Sequence, residues 1–111
     1  MTRRKKQIGK ALEHLGSARF LAFIRAVEPD GGCLAVKLMS KELKAGRRPE
    51  DLLLEGDEYG YILDVEPIGM QRYRIAFGCH PGPEVGDGGE WEVRFEGDVV
   101  AGITEGISWV S

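Results

Sequence analysis

Cys79 and His80 form an adjacent pair whose side chains could carry covalent or metal chemistry. A thiolate beside an imidazole is the arrangement of a cysteine nucleophile, and both groups are common zinc ligands. Neighbouring side chains on an extended backbone point to opposite sides, however, so this thiol and this imidazole would not reach each other. We therefore predict no catalytic residue, and an enzyme that uses the Cys79/His80 loop is a distant alternative.

The segment around this pair is interpreted as an exposed hairpin loop. Residues 78–89 are rich in glycine and proline, and Glu84 lies in the same stretch as His80. A zinc site would need two further ligands, for which only Cys33 and His14 are available, and no zinc spacing is present. Phosphate-loop and hydrolase motifs are also absent from the sequence. We predict no metal and no cofactor, and we expect His80 and Glu84 to contact a protein partner.

The clearest strand in the sequence carries an acidic face. Large apolar residues alternate with charged ones over residues 90–96, so one face of this strand would be buried and the other solvated. The acidic residues of the solvated face are Glu90, Glu92 and Glu96. Such a face suits a basic protein surface. The sequence therefore favours a non-catalytic interaction domain, of accessory, regulatory or inhibitor type, that binds another protein.

Clusters of basic residues support an alternative, a nucleic-acid-binding small β-barrel. Basic side chains neutralise phosphates, and an aromatic residue between two arginines is typical of base-stacking surfaces. The candidate residues are Arg3, Arg4, Lys5, Lys6, Lys41, Lys44, Arg47, Arg48, Arg72 and Arg74.

The charge is divided unequally between the two halves of the chain. Residues 1–48 carry twelve basic and four acidic residues, whereas residues 49–111 carry three basic and fourteen acidic ones. A basic half suits an acidic partner such as RNA or DNA. If the two halves interleave in one fold, they neutralise each other, and the protein partner remains the leading interpretation.

The elements that position these residues begin with a helix. A basic arm covers residues 1–6, and apolar residues at helical spacing predict a helix over about residues 5–15. Residues 19–28 fit both a helix face and a buried strand. We predict a strand that forms a hairpin with residues 33–39, because the turn sequence Pro-Asp-Gly-Gly separates the two segments.

An internal repeat supports this hairpin. Residues 23–31 and 61–69 share a Val-Glu-Pro-x-Gly ending after an apolar stretch. The second copy alternates as a strand does, which favours a strand for the first. Short helical turns are predicted within residues 40–46 and 49–56, and the later alternating segments bring the total to about seven strands.

The predicted fold class is mainly β (α+β). Consecutive hairpins must curl to protect their edges, which predicts a small, strongly bent antiparallel barrel with the N-terminal helix. Residues 55–62 followed by residues 72–75 have the general look of an SH3-like barrel hairpin, and an OB-like barrel is the other topology considered. The barrel would cover about residues 18–111.

Length and composition fit one domain. The chain has 111 residues, of which 42% are hydrophobic and 30% charged, so a core can form without metal or disulfide support. Glycine is abundant, at 16 residues, which favours many turns over a helical bundle. The longest apolar run is too short to span a membrane. Because the two cysteines follow no export signal, we expect reduced thiols and a cytoplasmic protein.

Overall fold

The computed structural model describes residues 10–30, 34–54, 60–82 and 85–110, with helices in the first half and strands in the second. The helices are α1 (residues 10–15), α2 (Ser17–Val27), α3 (Leu34–Lys44) and α4 (Pro49–Leu54), with a 3-10 turn at Glu28–Asp30. The strands are β1 (Gly60–Gly69), β2 (Arg72–Gly82), β3 (Val85–Glu96) and β4 (Val99–Val110). Within the described residues, no helix combines the length and apolar character needed to cross a membrane.

The predicted first and last helices agree with the structure. Residues 10–15 are helical, and the earlier part of the predicted N-terminal helix lies outside the described residues, as does the basic arm 1–6. The helix α4 begins at Pro49, and Glu50 and Asp51 occupy its first turn. Proline suits the first helical position because it lacks the N–H that the helix would leave unpaired there, and acidic residues favour the positive end of the helix dipole.

The strands form one antiparallel sheet in the order β1-β2-β3-β4. Short turns join β1 to β2 and β3 to β4, and the backbones of Gln71 and Gly97 in these turns have positive φ. Among the described residues, the two edge strands do not pair with each other, so the sheet is open. A small α+β domain with an antiparallel sheet is thus confirmed, whereas closure into an SH3-like or OB-like barrel is not. Helices cover one face of the sheet, and this supplies the cover that a closed barrel would otherwise provide.

The predicted hairpin between residues 19–28 and residues 33–39 is wrong, because residues 19–27 lie in α2 and residues 34–39 lie in α3. The buried residues of α2 are Phe20, Phe23, Ile24 and Val27. The buried residues of α3 are Ala35, Val36, Met39 and Ser40. In both helices this spacing gives one buried stripe and one solvated side. The apolar run at residues 20–24 therefore needs a single packing surface, which the sheet provides.

The two copies of the internal repeat adopt different secondary structures. Residues 23–30 form the end of α2 and the 3-10 turn, whereas residues 61–69 lie in β1. The shared Val-Glu-Pro sequence ends a helix in the first copy, whereas in the second copy it lies within the edge strand β1. Tertiary packing therefore decides the structure of this pattern, and the repeat does not predict a second hairpin.

Aromatic contacts join α2 to the sheet. Phe23 packs edge-on against Trp91 with ring centroids 5.3 Å apart, and Phe20 packs edge-on against Phe77 at 5.5 Å. Phe20 and Phe23 are fully buried, and so is Phe77. These contacts place the core between the helices and one face of the sheet, which we call the inner face.

The strand register agrees with the sequence prediction. The buried residues of the inner face are Leu63, Val65, Ile75, Phe77, Cys79, Trp91, Val93 and Phe95. Tyr61 and Tyr73 are half-buried against them. The intervening residues Glu92 and Arg94 are exposed. A register shifted by one residue would reverse this pattern, so the predicted core face of the later strands is confirmed.

Arg19 connects the beginning of α2 to the turn between β3 and β4 by hydrogen bonds. Its Nε donates a hydrogen bond of 2.8 Å to the carbonyl of Gly97, and its Nη1 donates one of 3.1 Å to the hydroxyl of Tyr73. The guanidinium also lies 5.2 Å from the ring centroid of Phe95. Because the Arg19 side chain is only 20% exposed, these charge-assisted contacts are partly shielded from water.

Replacement of Gly89 by alanine is expected to destabilise the fold. A Cβ at residue 89 would lie 2.8 Å from Cη2 of Trp91, which is closer than carbon atoms pack. The Trp91 ring is 3% exposed and cannot move without disturbing the core. We expect Gly89→Ala to lower the free energy of unfolding by about 1–3 kcal/mol, measured by chemical denaturation.

Gly102→Ala is the matched control. A Cβ at residue 102 would meet only guanidinium atoms of Arg94, at 3.8 and 3.9 Å, which is ordinary contact. We expect a change within about 0.5 kcal/mol. Equal losses in the two variants would show that the Trp91 ring does not cover Gly89 in solution.

Ser17 and Glu50 form a pH-dependent link between α2 and α4. The Ser17 hydroxyl donates a hydrogen bond of 2.8 Å to Oε2 of Glu50. This bond is the largest cause that holds the pKa of Glu50 below its ordinary value of 4.5, and Arg48 contributes in the same direction. A carboxyl with a lowered pKa stabilises the fold above its ordinary pKa, and this contribution is lost as the pH falls through the lowered pKa.

We expect Ser17→Ala to lower the free energy of unfolding by about 1 kcal/mol at pH 7, because it removes a hydrogen bond to a charged group at a partly exposed site. The penalty should shrink as the pH falls through the lowered pKa of Glu50, because protonation of this carboxyl weakens the bond in the wild type. Denaturation over a series of pH values below 7 measures this change. In a Glu50→Gln background, the Ser17→Ala penalty should no longer vary with pH. A pH-independent penalty in the wild-type background would contradict the assignment.

Candidate functional site

The helices leave the opposite face of the sheet open, and we call this the outer face. Side chains alternate between the two faces of a strand, so the residues between the buried ones lie on the outer face. Its charged residues are Asp64, Glu66, Arg72, Arg74, Glu90, Glu92, Arg94 and Glu96. All of these residues except Asp64 form ion pairs within the described part of the chain, and the exposed fraction of the paired side chains ranges from 37% for Glu90 to 75% for Glu96. The outer face is therefore a solvated, highly charged surface.

Arg74 lies at the centre of the outer face and contacts three carboxylates. Its Nη1 is 3.1 Å from Glu66, its Nη2 is 3.4 Å from Glu92, and its Nε is 3.4 Å from Glu90. The register explains two of these contacts, because Glu66, Arg74 and Glu92 are direct neighbours across β1, β2 and β3. We call this arrangement the Arg74 ladder.

Two further arginines extend the charge pairing towards the hairpin turns. Arg72 lies 3.9 Å from Glu92, and Arg94 lies 3.5 Å from Glu96. The three acids predicted to bind a protein therefore share one face, as the alternation along β3 indicates. The arginines Arg72 and Arg74, predicted for nucleic acid, lie on that same face and pair with these acids. Residues assigned to two different partners thus form one surface.

The other predicted basic cluster lies at the end of α3 and the connection to α4. Lys44 forms an ion pair with Glu28 at 3.0 Å. Arg47 lies 3.3 Å from Glu42, and Arg48 lies 3.1 Å from Glu50. Lys41 is exposed and has no ion pair within the described residues. Arg3, Arg4, Lys5 and Lys6 lie outside those residues, so their role remains a prediction.

The helices and the strands form separate layers, and the acidic half contributes α4 to the helical layer, where Glu50 and Asp51 pair with Arg48. The described helical residues include eight basic and six acidic ones, whereas the described sheet residues include three basic and eight acidic ones. Most ion pairs join residues of the same layer, as in the Arg74 ladder and the Lys44–Glu28 pair. Neutralisation therefore occurs largely within each layer, and the sheet layer retains an acidic excess.

The segment around Cys79 is not a loop. The strand β2 extends to Gly82 and β3 begins at Val85, so most of the predicted loop 78–89 is a strand pair. Its glycines are compatible with a strand because the Trp91 ring covers Gly89, where a side chain would collide with it. Glu84 and the side chain of His80 lie outside the described part of the chain, and so their predicted partner contacts remain predictions.

Cys79 lies in the core beside Tyr61, its register partner on β1. The thiol-bearing residue is 4% exposed, and the Tyr61 ring stacks on Phe77 with centroids 5.6 Å apart. Burial raises the pKa of Tyr61 to about 12, and the neighbouring Cys79 contributes in the same direction. The Cys79 thiol is therefore shielded from solvent, whereas Tyr61 is half-buried. The described residues also contain no group of three or more side chains that could hold a metal ion.

A groove of about 450 Å³ runs between α1 and the edge of β1. Its lining residues are Lys10, Ala11, His14, Ile62, Leu63, Asp64 and Val65. The four strand residues are consecutive and belong to both faces of the sheet, so the groove follows the strand edge. Sequence analysis missed this groove, because its position depends on where α1 packs beside β1. It also missed Glu66, although the register of the β1–β2 hairpin would have placed this residue opposite Arg74.

Comparison with known proteins finds no matching family model, no matching curated protein and no matching solved structure. A function for this protein must therefore be inferred from the geometry of the outer face and the groove.

Loss of Arg74 is expected to destabilise the protein in a salt-dependent manner. Without the guanidinium, the carboxylates of Glu66, Glu90 and Glu92 would repel one another. We expect Arg74→Met to lower the free energy of unfolding by about 1 kcal/mol at low salt. The loss should be smaller in 1 M NaCl, where the screening length is about 3 Å. Denaturation at the two salt concentrations measures this difference.

The control is Arg25→Met on α2, because Arg25 is exposed and has no ion pair within the described residues. Its effect should stay within about 0.5 kcal/mol at both salt concentrations. A loss for Arg74→Met that does not depend on salt would contradict the electrostatic role of the Arg74 ladder.

Proposed function

We propose that this protein is a non-catalytic interaction domain that binds a protein partner through the outer face of its sheet. The observation that carries the proposal is the Arg74 ladder on a face that the helices leave open. Fixed charges of both signs stand in register there, on three strands of a rigid sheet. Such an arrangement can select a partner by charge pattern, as accessory, regulatory and inhibitor proteins do.

The ion pairs of the outer face can be exchanged for contacts with a partner at little cost. A solvent-exposed ion pair contributes about 0–1 kcal/mol, and the side chains here are between 37% and 75% exposed. A partner that offers the opposite sign at each position would replace these weak pairs by less solvated ones. Complementary charge patterns mainly increase specificity and the rate of association.

The balance of charge on the outer face favours a protein over nucleic acid. Five carboxylates and three arginines share this face. A phosphate backbone carries one sign only and would be repelled by the carboxylates that surround Arg74. A protein surface can place basic groups opposite the glutamates and an acidic group opposite each arginine. The alternative, nucleic-acid binding, rests on the exposed cluster at the end of α3 and the connection to α4, and on the basic residues of the arm 1–6; the cluster contains Lys41, Lys44, Arg47 and Arg48.

We further propose that the sheet bends strongly, in the manner of an SH3-like or OB-like barrel. The support is a set of register shifts between Pro67 and Gly69, between Gly89 and Trp91, and between Arg94 and Phe95. Bulges of this kind bend a strand and increase its twist. In a bent sheet, the outer face would be a curved surface and not a flat one.

The proposal is tested by affinity capture from the native host with and without nuclease. The wild type should capture a protein partner that remains bound after nuclease treatment. The variant Glu90→Lys/Glu92→Lys/Glu96→Lys should lose this partner, because it places like charges at a complementary interface. Circular dichroism must show that the variant is folded, and Glu→Gln changes at the same three positions provide a milder version that should weaken capture.

The control carries the same charge change elsewhere on the surface, at Glu13, Asp51 and Glu105, all of which are exposed. This variant should capture the partner as the wild type does. Equal loss of capture in both triple variants would contradict the role of the outer face.

Nucleic-acid binding would instead appear as submicromolar affinity for RNA or DNA at physiological salt. For about five phosphate contacts on duplex DNA, the slope of log K against log salt would be near −4.5. Replacement of Arg3, Arg4, Lys5 and Lys6 by alanine would flatten this slope. We expect neither result, and observing both would overturn the proposal.

A further inference from the structure

We propose that the edge of β1 is a second binding site, which takes an extended segment of another protein as an added strand. The segment carries basic side chains at alternate positions and lies in the groove between α1 and β1. This site shares Asp64 and Glu66 with the outer face, but it also uses the backbone edge of β1, so protection of the edge amides tests it independently of the first proposal. The inference combines an edge strand, a groove of suitable size beside it, and the charges that line both.

The backbone of β1 offers hydrogen bonds along its unpaired side. Alternate residues of an antiparallel strand direct both their N–H and C=O groups to the same neighbour. Pro67 has no N–H and lies opposite Tyr73 on β2, so it belongs to the set that faces away from β2. The register is continuous from residue 60 to residue 67. Leu63 and Val65 therefore direct their backbone groups to the edge, and no described strand pairs with them there.

The groove gives this edge an opposite wall. The helix α1 contributes Lys10, Ala11 and His14, which lie on one side of the helix. The volume of about 450 Å³ falls within the range of about 300–1,000 Å³ that is usual for ligand sites. An added strand would place its backbone against β1 and half of its side chains towards the helix. Main-chain hydrogen bonds supply affinity in this mode of recognition, and the side chains supply specificity.

The groove is lined by one basic and one acidic residue, Lys10 on α1 and Asp64 on β1. The basic side chains of the segment therefore belong on the outer side of β1, and the alternate side chains, which face the helix, are uncharged. Asp64 is exposed and has no ion pair within the described residues, and Glu66 is 64% exposed. Both lie on the outer face, two residues apart, so an added strand with basic side chains at alternate positions would face them. Opposite-charge pairs across neighbouring strands stabilise a sheet.

A second copy of this chain is a poorer occupant. Antiparallel pairing of two β1 strands about a two-fold axis brings like charges together in the registers that place Asp64 opposite Asp64 or Glu66 of the other copy, so only the remaining registers are open to a second copy. Like charges directly opposite each other destabilise a strand pair. A segment from a different, basic protein avoids this repulsion.

The test uses the full chain and a synthetic nine-residue peptide that alternates lysine with valine, with blocked ends. Fluorescence anisotropy should show binding of this peptide, and a peptide that alternates glutamate with valine should not bind. Amide exchange measured by NMR should show that the N–H groups of Leu63 and Val65 become protected when the lysine peptide is bound. Protection of these two amides distinguishes strand addition from contact with the surface alone.

Asp64→Lys should weaken binding of the lysine peptide about tenfold or more, and Asp64→Asn should weaken it to a lesser extent. Glu105→Lys is the matched control, because Glu105 is an exposed acid on the opposite edge strand β4. It should change the affinity by less than about twofold. These positions are exposed, so the variants should fold as the wild type does.

Three results would overturn the proposal. The first is peptide binding without protection of the Leu63 and Val65 amides. The second is equal weakening by Asp64→Lys and Glu105→Lys. The third is protection of the same amides in the free protein that rises with protein concentration, which would assign the edge to a second copy of the chain.

Discussion

The packing of α2 on the inner face is the constraint on which the rest of the structure depends. Phe20 and Phe23 are fully buried, and they meet Phe77 and Trp91 edge-on at 5.5 and 5.3 Å. Once these rings cover one face, the strand period of two forces every intervening residue to the other face. The charged outer face follows from this choice of face, the Arg74 ladder follows from the register of the strands that carry it, and the open edge of β1 follows from the strand order.

The later strands and the short helices α1 and α4 could be predicted from the sequence, whereas α2 and α3 could not. Trp91, Val93 and Phe95 alternate with charges so regularly that only one register buries them. Residues 19–28 satisfy helical and strand patterns alike, and their turn-like ending favoured the wrong one. What decides between the two patterns is the presence of a sheet face to pack on, and that face is built by residues more than thirty positions later in the chain.

The sequence predicts which residues of a strand share a face, but it does not predict which residues of the neighbouring strand lie beside them. Glu90, Glu92 and Glu96 could be placed on one solvated face, because a strand's own alternation is local information. Their pairing with Arg74 depends on the register between strands. The groove at β1 depends on the placement of α1, which no local pattern specifies. The Cys79 segment shows the converse: glycines that suggested a loop belong to strands whose neighbours approach closely.

The proposed recognition of a protein partner through the outer face can be tested by NMR chemical-shift mapping of the labelled protein with the captured partner. We expect the largest shifts at Glu66, Arg74 and Glu92, while the exposed residues of α3, such as Lys37 and Lys41, change little. Shifts concentrated on α3, with the outer face unchanged, would contradict this proposal.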